Sequence, residues 1–216
     1  RYIGSGMVDG LLVIGQSDQF ERIETVAGSY LPMVVWGNHQ EGQRHCVVGT
    51  DNRLGGKFAA ERLVEAGARN LAFLGDIEPI EFAARFAGAC EVAGQAGVPI
   101  CVLSAHLSRE RALAEVTHHV NTLDPAIDGI FAATDTLAVT CLNALSARRT
   151  AVPGQVRIIG FDDLPFAAQT MPPLTTVRQD IEAGARAMVD LLFRRIAGES
   201  TESLVLPPHL ILRGTA

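Results

Sequence analysis

Short apolar runs that do not alternate with polar residues recur along this chain, and a helix-period stretch follows nearly every one. The runs fall at 8–14, 33–36, 46–48, 71–74, 100–103, 129–132 and 156–159. The helical stretches fall at 18–30, 53–66, 80–96, 108–122 and 135–148. A strand open to water on one face alternates, whereas a strand covered on both faces reads as continuous apolar sequence. These runs therefore predict parallel strands held between layers of helix. Gly67 stops one helix and Gly97-Val98-Pro99 another, leaving the short connections that such crossovers use. The pattern gives an α/β fold with doubly wound parallel sheet and right-handed crossovers.

The rhythm breaks near the C-terminus. Pro172-Pro173 precede an extended piece at 174–177, and Asp180 is placed to cap a helix with the apolar stripe Ile181, Ala185, Met188, Leu192 and Ile196. Gly198 ends that helix, and two final strands at 203–206 and 209–212 flank Pro207-Pro208. Residues 1–7 read as a helix end running into a strand, although a doubly wound domain opens on a strand. The expectation is a chain that starts inside a domain.

Composition narrows the function classes. With 19% charged residues and a mean hydropathy of +0.21 the chain is too apolar for disorder. A net charge of −6 with 18 Lys+Arg leaves no face basic enough to track a phosphate backbone, so any DNA contact is expected outside these residues. The runs at 11–14 and 31–36 fall far short of the roughly 20 residues a membrane span needs, and the N-terminus lacks a signal-peptide pattern. Cys46, Cys90, Cys101 and Cys141 are irregularly spaced in apolar settings, which predicts reduced, buried thiols and a cytoplasmic protein.

Catalytic motifs are few. Gly4-Ser5-Gly6 with Gly10 is one residue off GxGxxG and precedes a strand instead of following one, so a helix C-cap accounts for it better. His118 and His119 point about 100° apart on a helix, and with His106 they gain no cysteine or carboxylate at metal-ligand spacing. GxxxxGK[ST] and GxSxG are absent, and no Ser, His and Asp set has a motif context. A binding module is expected, not an enzyme, with neither cofactor nor metal.

Four segments stand out: Asp51-Asn52, Arg85-Phe86-Ala87-Gly88, Thr134-Asp135 and Gly160-Phe161-Asp162-Asp163. Three closely follow an expected strand, and Arg85 lies early in the next helix. Ligands of open α/β sheets bind beyond the carboxyl ends of the strands. Carboxylates, a guanidinium and a hydroxyl there can accept from and donate to a polyhydroxylated ligand. For Asp51 and Asp135 the competing reading is a helix cap, and sequence leaves both open.

Several runs resemble the lac repressor family of transcriptional regulators. Val8-Asp9-Gly10-Leu11-Leu12 is similar to its VDG-apolar strand, and Asp51-Asn52 with Gly55-Gly56 to its DN-x-x-G helix entry. Gly67 to Gly75 resembles the G-H-x-x-I strand with Ala68 in place of the usual His, and Arg85 to Gly88 matches R-x-x-G. The run 153–163 is similar to P-x-D-V-x-V-x-G-F-D-D; Pro172 to Val177 with Gln179 reads P-P-L-T-T-V-x-Q. The end, Leu210 to Arg213, resembles L-I-x-R, with Gly214-Thr215 departing from the family pattern.

The resemblance implies a type I periplasmic-binding-protein-like fold: two doubly wound parallel-sheet subdomains joined by three crossovers, with an effector between them. Crossovers near 67–70, 177–180 and 198–203 imply an incomplete N-terminal subdomain of 1–67 plus 179–200, and a C-terminal one of 68–178 plus 201–216. Arg85 and Asp162 become the main effector ligands, with Asp51 and Thr134 as further ones. Many members carry Asn at the Thr134 position, and the stretch 104–107, where the family often stacks an aromatic ring, has none. The implied partners are a small polar effector of sugar type, a second copy, and operator DNA. The dimer contact would use Leu164 and Phe166 against the helix 136–148. The operator would be reached through a helix-turn-helix headpiece with no counterpart in this chain; the hinge helix and first strand and helix have none either. A solute-binding receptor for transport shares the fold, and the P-P-L-T-T-V-x-Q segment favours the regulator.

Overall fold

The computed structural model describes residues 7–16, 19–30 and 32–216. Gly4, Gly6 and the helix end read at 1–6 lie outside them, as does the start of the helix expected at 18–30. Contacts divide the chain into two units, Arg1–Asp51 with Asp180–Pro207 and Asn52–Gln179 with Pro208–Ala216, so the chain passes between them three times.

In the first unit, β1 (Leu11–Ile14), β2 (Met33–Trp36), β3 (Cys46–Thr50) and β9 (Leu204–Leu206) form a parallel sheet in the order β1-β2-β3-β9. Successive residues of β2 serve opposite layers. Met33 and Val35 pack with Ile23 and Ala27 of α1 (Phe20–Ala27), while Val34 packs with Met188 and Leu191 of α6 (Ile181–Ile196). Burial on both faces is why this run does not alternate. The buried face of α6 differs by a small rotation from the expected stripe. Gly184, Met188 and Leu191 are buried, whereas Ile181 and Ile196 are exposed. Trp36 occupies the space a side chain at 184 would need, which draws the helix onto the sheet along that line.

The second unit holds a six-stranded sheet in the order β10-β8-β7-β6-β4-β5. Its strands are β4 (Leu71–Leu74), β5 (Ile100–Leu103), β6 (Gly129–Ala132), β7 (Arg157–Asp162), β8 (Thr175–Arg178) and β10 (His209–Ile211). All pair in parallel except β10, which runs antiparallel to β8. The helices are α2 (Asn52–Glu65), α3 (Ile80–Ala96), α4 (Arg109–Asn121) and α5 (Asp135–Ala147). Neighbouring residues of β7 show how they are layered. Gly160 faces Asp135 of α5, and Phe161 faces Gly55 of α2 and Arg85 of α3, so these helices cover opposite faces.

The first crossover departs from expectation. It falls at Asp51–Asn52 instead of near 67–70, because α2 packs against α3 and against β6, β7, β8 and β10. The third falls at Pro207–Pro208 instead of near 198–203, since β9 pairs with β3 and β10 with β8. The thiols also diverge from the reading of four buried cysteines. Cys46 and Cys141 are buried, Cys90 is half-buried and Cys101 is exposed on the edge strand β5.

Candidate functional site

Three rings lead to Arg85. Phe73 on β4 and Phe131 on β6 meet edge-on with centroids 5.3 Å apart, and Phe131 lies 6.5 Å from Phe161 on β7. The Arg85 guanidinium carbon stands 3.6 Å from the centre of the Phe161 ring, a cation–π contact between two buried groups. Its Nε donates to Asn52 Oδ1 at 2.8 Å, and its Nη1 donates to the Ala133 carbonyl at 2.5 Å, just past β6. The residue is 4% exposed. Burial pulls its pKa down to about 10 against the opposing fields of Asp162, Glu81 and Asp135, so it stays cationic at neutral pH.

Glycine spacing makes this clamp possible. A Cβ at Gly56 would overlap the Arg85 carbonyl oxygen, and one at Gly88 would overlap the Arg53 carbonyl oxygen. Helices α2 and α3 thus touch backbone to backbone at two points, and Gly55 leaves room for the Phe161 ring. The D-N-x-x-G-G and R-x-x-G runs are halves of one device, which carries Asn52 to Arg85 and Arg85 to the end of β6.

Asp162 ends β7 with φ 117°, and Asp163 follows at φ 56°. Two successive non-glycine residues at positive φ cost on the order of 1–3 kcal/mol each, and every residue of the turn is tied. Gln179 Nε2 donates to Asp162 Oδ1 at 2.7 Å, and Arg178 and Arg213 each donate to Asp163 at 2.6 Å. The Leu164 N–H donates to Asp135 Oδ2 at 2.8 Å. Burial raises the Asp162 carboxyl above its ordinary value, with Arg85 and Gln179 opposing the shift. Burial also pushes Asp163 upward, but its two arginines outweigh it and hold that carboxyl below the ordinary range.

Arg85, Thr134 and Asp162 therefore lie together in the second unit, at the carboxyl ends of β6 and β7 or beside them. Thr134 is the N-cap of α5, its hydroxyl accepting from Leu137 N–H at 3.3 Å, and is 8% exposed. Asp135, for which a cap was one reading, is wholly buried and instead accepts from Thr176 and Leu164. Asp51 closes β3 in the first unit, where its N–H donates to the Leu206 carbonyl of β9 at 2.9 Å. Leu164 is half-buried and Phe166 is 39% exposed in the turn Pro165–Gln169 that follows. Asn52, Gln179 and Asp135 were not singled out as site residues from sequence, although all three stand inside or beside the motifs. Among the described residues, neither Arg85 Nη2 nor Asp162 Oδ2 has a hydrogen-bond partner. One cationic donor and one carboxylate acceptor are thus left over at the strand ends.

Residues 60–216 match the family model of the periplasmic binding protein-like domain. The chain belongs to that family. The HTH-type transcriptional regulator CelR of Thermobifida fusca is 31% identical over 98% of this chain, and DegA of Bacillus subtilis is 31% identical over 95%. This chain spans 64% and 63% of their respective lengths. Among solved structures, the transcriptional regulator CelR–cellobiose complex is 29% identical with a TM-score of 0.85, covering 100% of this chain and 68% of that one. A LacI family regulator from Enterococcus faecium with bound ribose is 25% identical with a TM-score of 0.84, covering 96% and 79%. The resemblance to the lac repressor family read from the motifs holds across the whole length, and the periplasmic-binding-protein-like α/β fold holds with it.

Proposed function

We propose that this chain is the effector-sensing part of a cytoplasmic transcriptional regulator, and that its effector is a neutral sugar held at the carboxyl edge of the second unit. The observation that carries the reading is a pair of atoms there with no hydrogen-bond partner among the described residues, Arg85 Nη2 as donor and Asp162 Oδ2 as acceptor. A hydroxyl group both donates and accepts, so the hydroxyls of one sugar can serve a donor and an acceptor alike. One positive and one negative group offset each other, which favours a neutral ligand over a phosphorylated or carboxylated one. The sugars in the two related complexes are cellobiose and ribose, both neutral. Thr134 contributes through its position more than its hydroxyl, which caps α5. Asp51 is proposed as a further ligand contact on the grounds of the family resemblance.

The regulatory half of the reading is supported by CelR and DegA, both HTH-type transcriptional regulators. In it, DNA is contacted by a headpiece outside these 216 residues, and the effector acts by changing the balance between two states of the pair of sensing domains. The pairing surface is proposed around Leu164, Phe166 and α5. Thermal melting in the presence of neutral and charged sugars tests the ligand class. A bound sugar raises stability by about 2.7 kcal/mol at a hundred times its Kd. Stabilisation by sugar phosphates or sugar acids, with none by neutral sugars, would overturn it.

A further inference from the structure

Asp135 is a titratable group beside the candidate site that the proposed ligand contacts leave out. It sits in the first turn of α5, directly after Thr134, and is wholly buried. Its Oδ1 accepts from the Thr176 hydroxyl at 2.5 Å and its Oδ2 from the Leu164 N–H at 2.8 Å. Gly160 keeps the space open, since a Cβ there would overlap Oδ1. No cation bonds it among the described residues. Asparagine could serve the same two partners, accepting from Leu164 and donating to the Thr176 oxygen. Hydrogen bonding alone does not call for an acid here.

The charged groups facing Asp135 come from two elements. Asp162 ends β7 and Asp163 follows it, and Arg85 of α3 interacts with Asp135 through its charge; Asp163 is itself bound by Arg178 and Arg213. Burial is the largest influence on the Asp135 carboxyl and carries its pKa up to about 6; the negative charges of Asp162 and Asp163 add to it, while the bonds from Thr176 and Leu164 oppose it. A group so placed changes its ionisation when the charge beside it changes.

We propose that Asp135 is a coupling residue: the charge at Asp162 on the ligand edge sets the strength of the carboxylate bond that anchors Leu164, and with it the turn Pro165–Gln169. Neutralising Asp162 lowers the negative potential at Asp135, whose ionised form the Asp162 charge disfavours. The ionised carboxylate then becomes more populated, and its bonds to Leu164 and Thr176 strengthen, because a charged acceptor holds a donor more tightly than a neutral one. The turn so anchored carries the exposed Phe166. The functional meaning of this link rests on Asp162 being a ligand contact; the anchoring itself does not.

The test needs no ligand. In the isotopically labelled full chain, the Leu164 amide and the Asp135 carboxyl carbon are followed by NMR from about pH 4.5 to 8, a range that brackets the raised carboxyl. The two signals are expected to titrate together. Asp162→Asn should move their midpoint downward, Thr176→Val should move it upward by removing a donor to the charged form, and Asp135→Asn should abolish the Leu164 movement. A midpoint unmoved by Asp162→Asn, or a Leu164 amide that still titrates in Asp135→Asn, overturns the proposal. Should Asp135→Asn fail to fold, Thr176→Val and Asp162→Asn still decide it. Failure of sugars to bind would refute the proposed function while leaving these shifts in place.

Discussion

Replacing Asp135 with asparagine is expected to make the protein more stable at neutral pH, which is unusual for a wholly buried hydrogen-bonded residue. The carboxyl rises from an ordinary 3.8 to about 6 on folding, mainly through burial. A raised acid resists ionising in the folded state, so it favours folding least where it is charged. The penalty is absent below the unfolded value, grows as pH rises from 3.8 to about 6, and is fully present above that. At about 1.4 kcal/mol per tenfold change it amounts to about 3 kcal/mol, already net of the bonds from Thr176 and Leu164. Asparagine keeps the shape and removes the charge. The gain should therefore be about 1–3 kcal/mol near pH 7.5 and close to nothing near pH 4, with Tm moving roughly 2–4 °C per kcal/mol in a chain this long. Calorimetric melts of both proteins across that range read it directly. A variant that is equally destabilised at both pH values would refute the reasoning, because the acid would then matter only through hydrogen-bond geometry.

Three further outcomes follow from the same geometry. Gly88→Ala should destabilise by about 2–3 kcal/mol or more in chemical unfolding, since its methyl meets the Arg53 backbone carbonyl; Gly94→Ala in the same helix meets nothing and should gain about 0.5–1 kcal/mol. Phe166→Glu should shift sedimentation toward monomer at a given concentration if the turn Pro165–Gln169 lies in a dimer contact, and an unchanged profile counts against that placement. The chain by itself, with its net charge of −6, should give no operator-selective, salt-sensitive shift on DNA.

The layering of the fold was legible because burial on both faces leaves a plain mark. Val34 and Val35 face opposite layers, and both must be apolar. The edges of the elements were less so. Helix α2 was expected in the first unit because the family resemblance implies a crossover near 67–70, whereas its attachment to α3 is made by absent side chains at Gly56 and Gly88. Asp162 stood out because charge at a strand end is conspicuous, and Arg85 because it opens the R-x-x-G run. Their supports did not: Asn52 resembles any helix entry, and the acid at 135 resembles any first-turn carboxylate. The small residues of the motifs were the available signal, since glycine repeated at fixed distances from a charged residue marks a backbone that something large must approach.

The central claim, that Arg85 and Asp162 hold a neutral sugar, is tested most directly by calorimetric titration of cellobiose, ribose and related neutral sugars. The unchanged chain, Arg85→Lys and Asp162→Asn are compared, with Tm recorded without ligand. Loss of one partner of a buried charge-assisted bond costs about 2–5 kcal/mol. A sugar that binds the unchanged chain should thus bind Asp162→Asn roughly thirtyfold more weakly or worse. Arg85→Lys, which keeps the charge but loses the fork and the stack on Phe161, should fall at least as far. A sugar that binds all three with equal affinity, in variants that melt like the parent, would contradict the account.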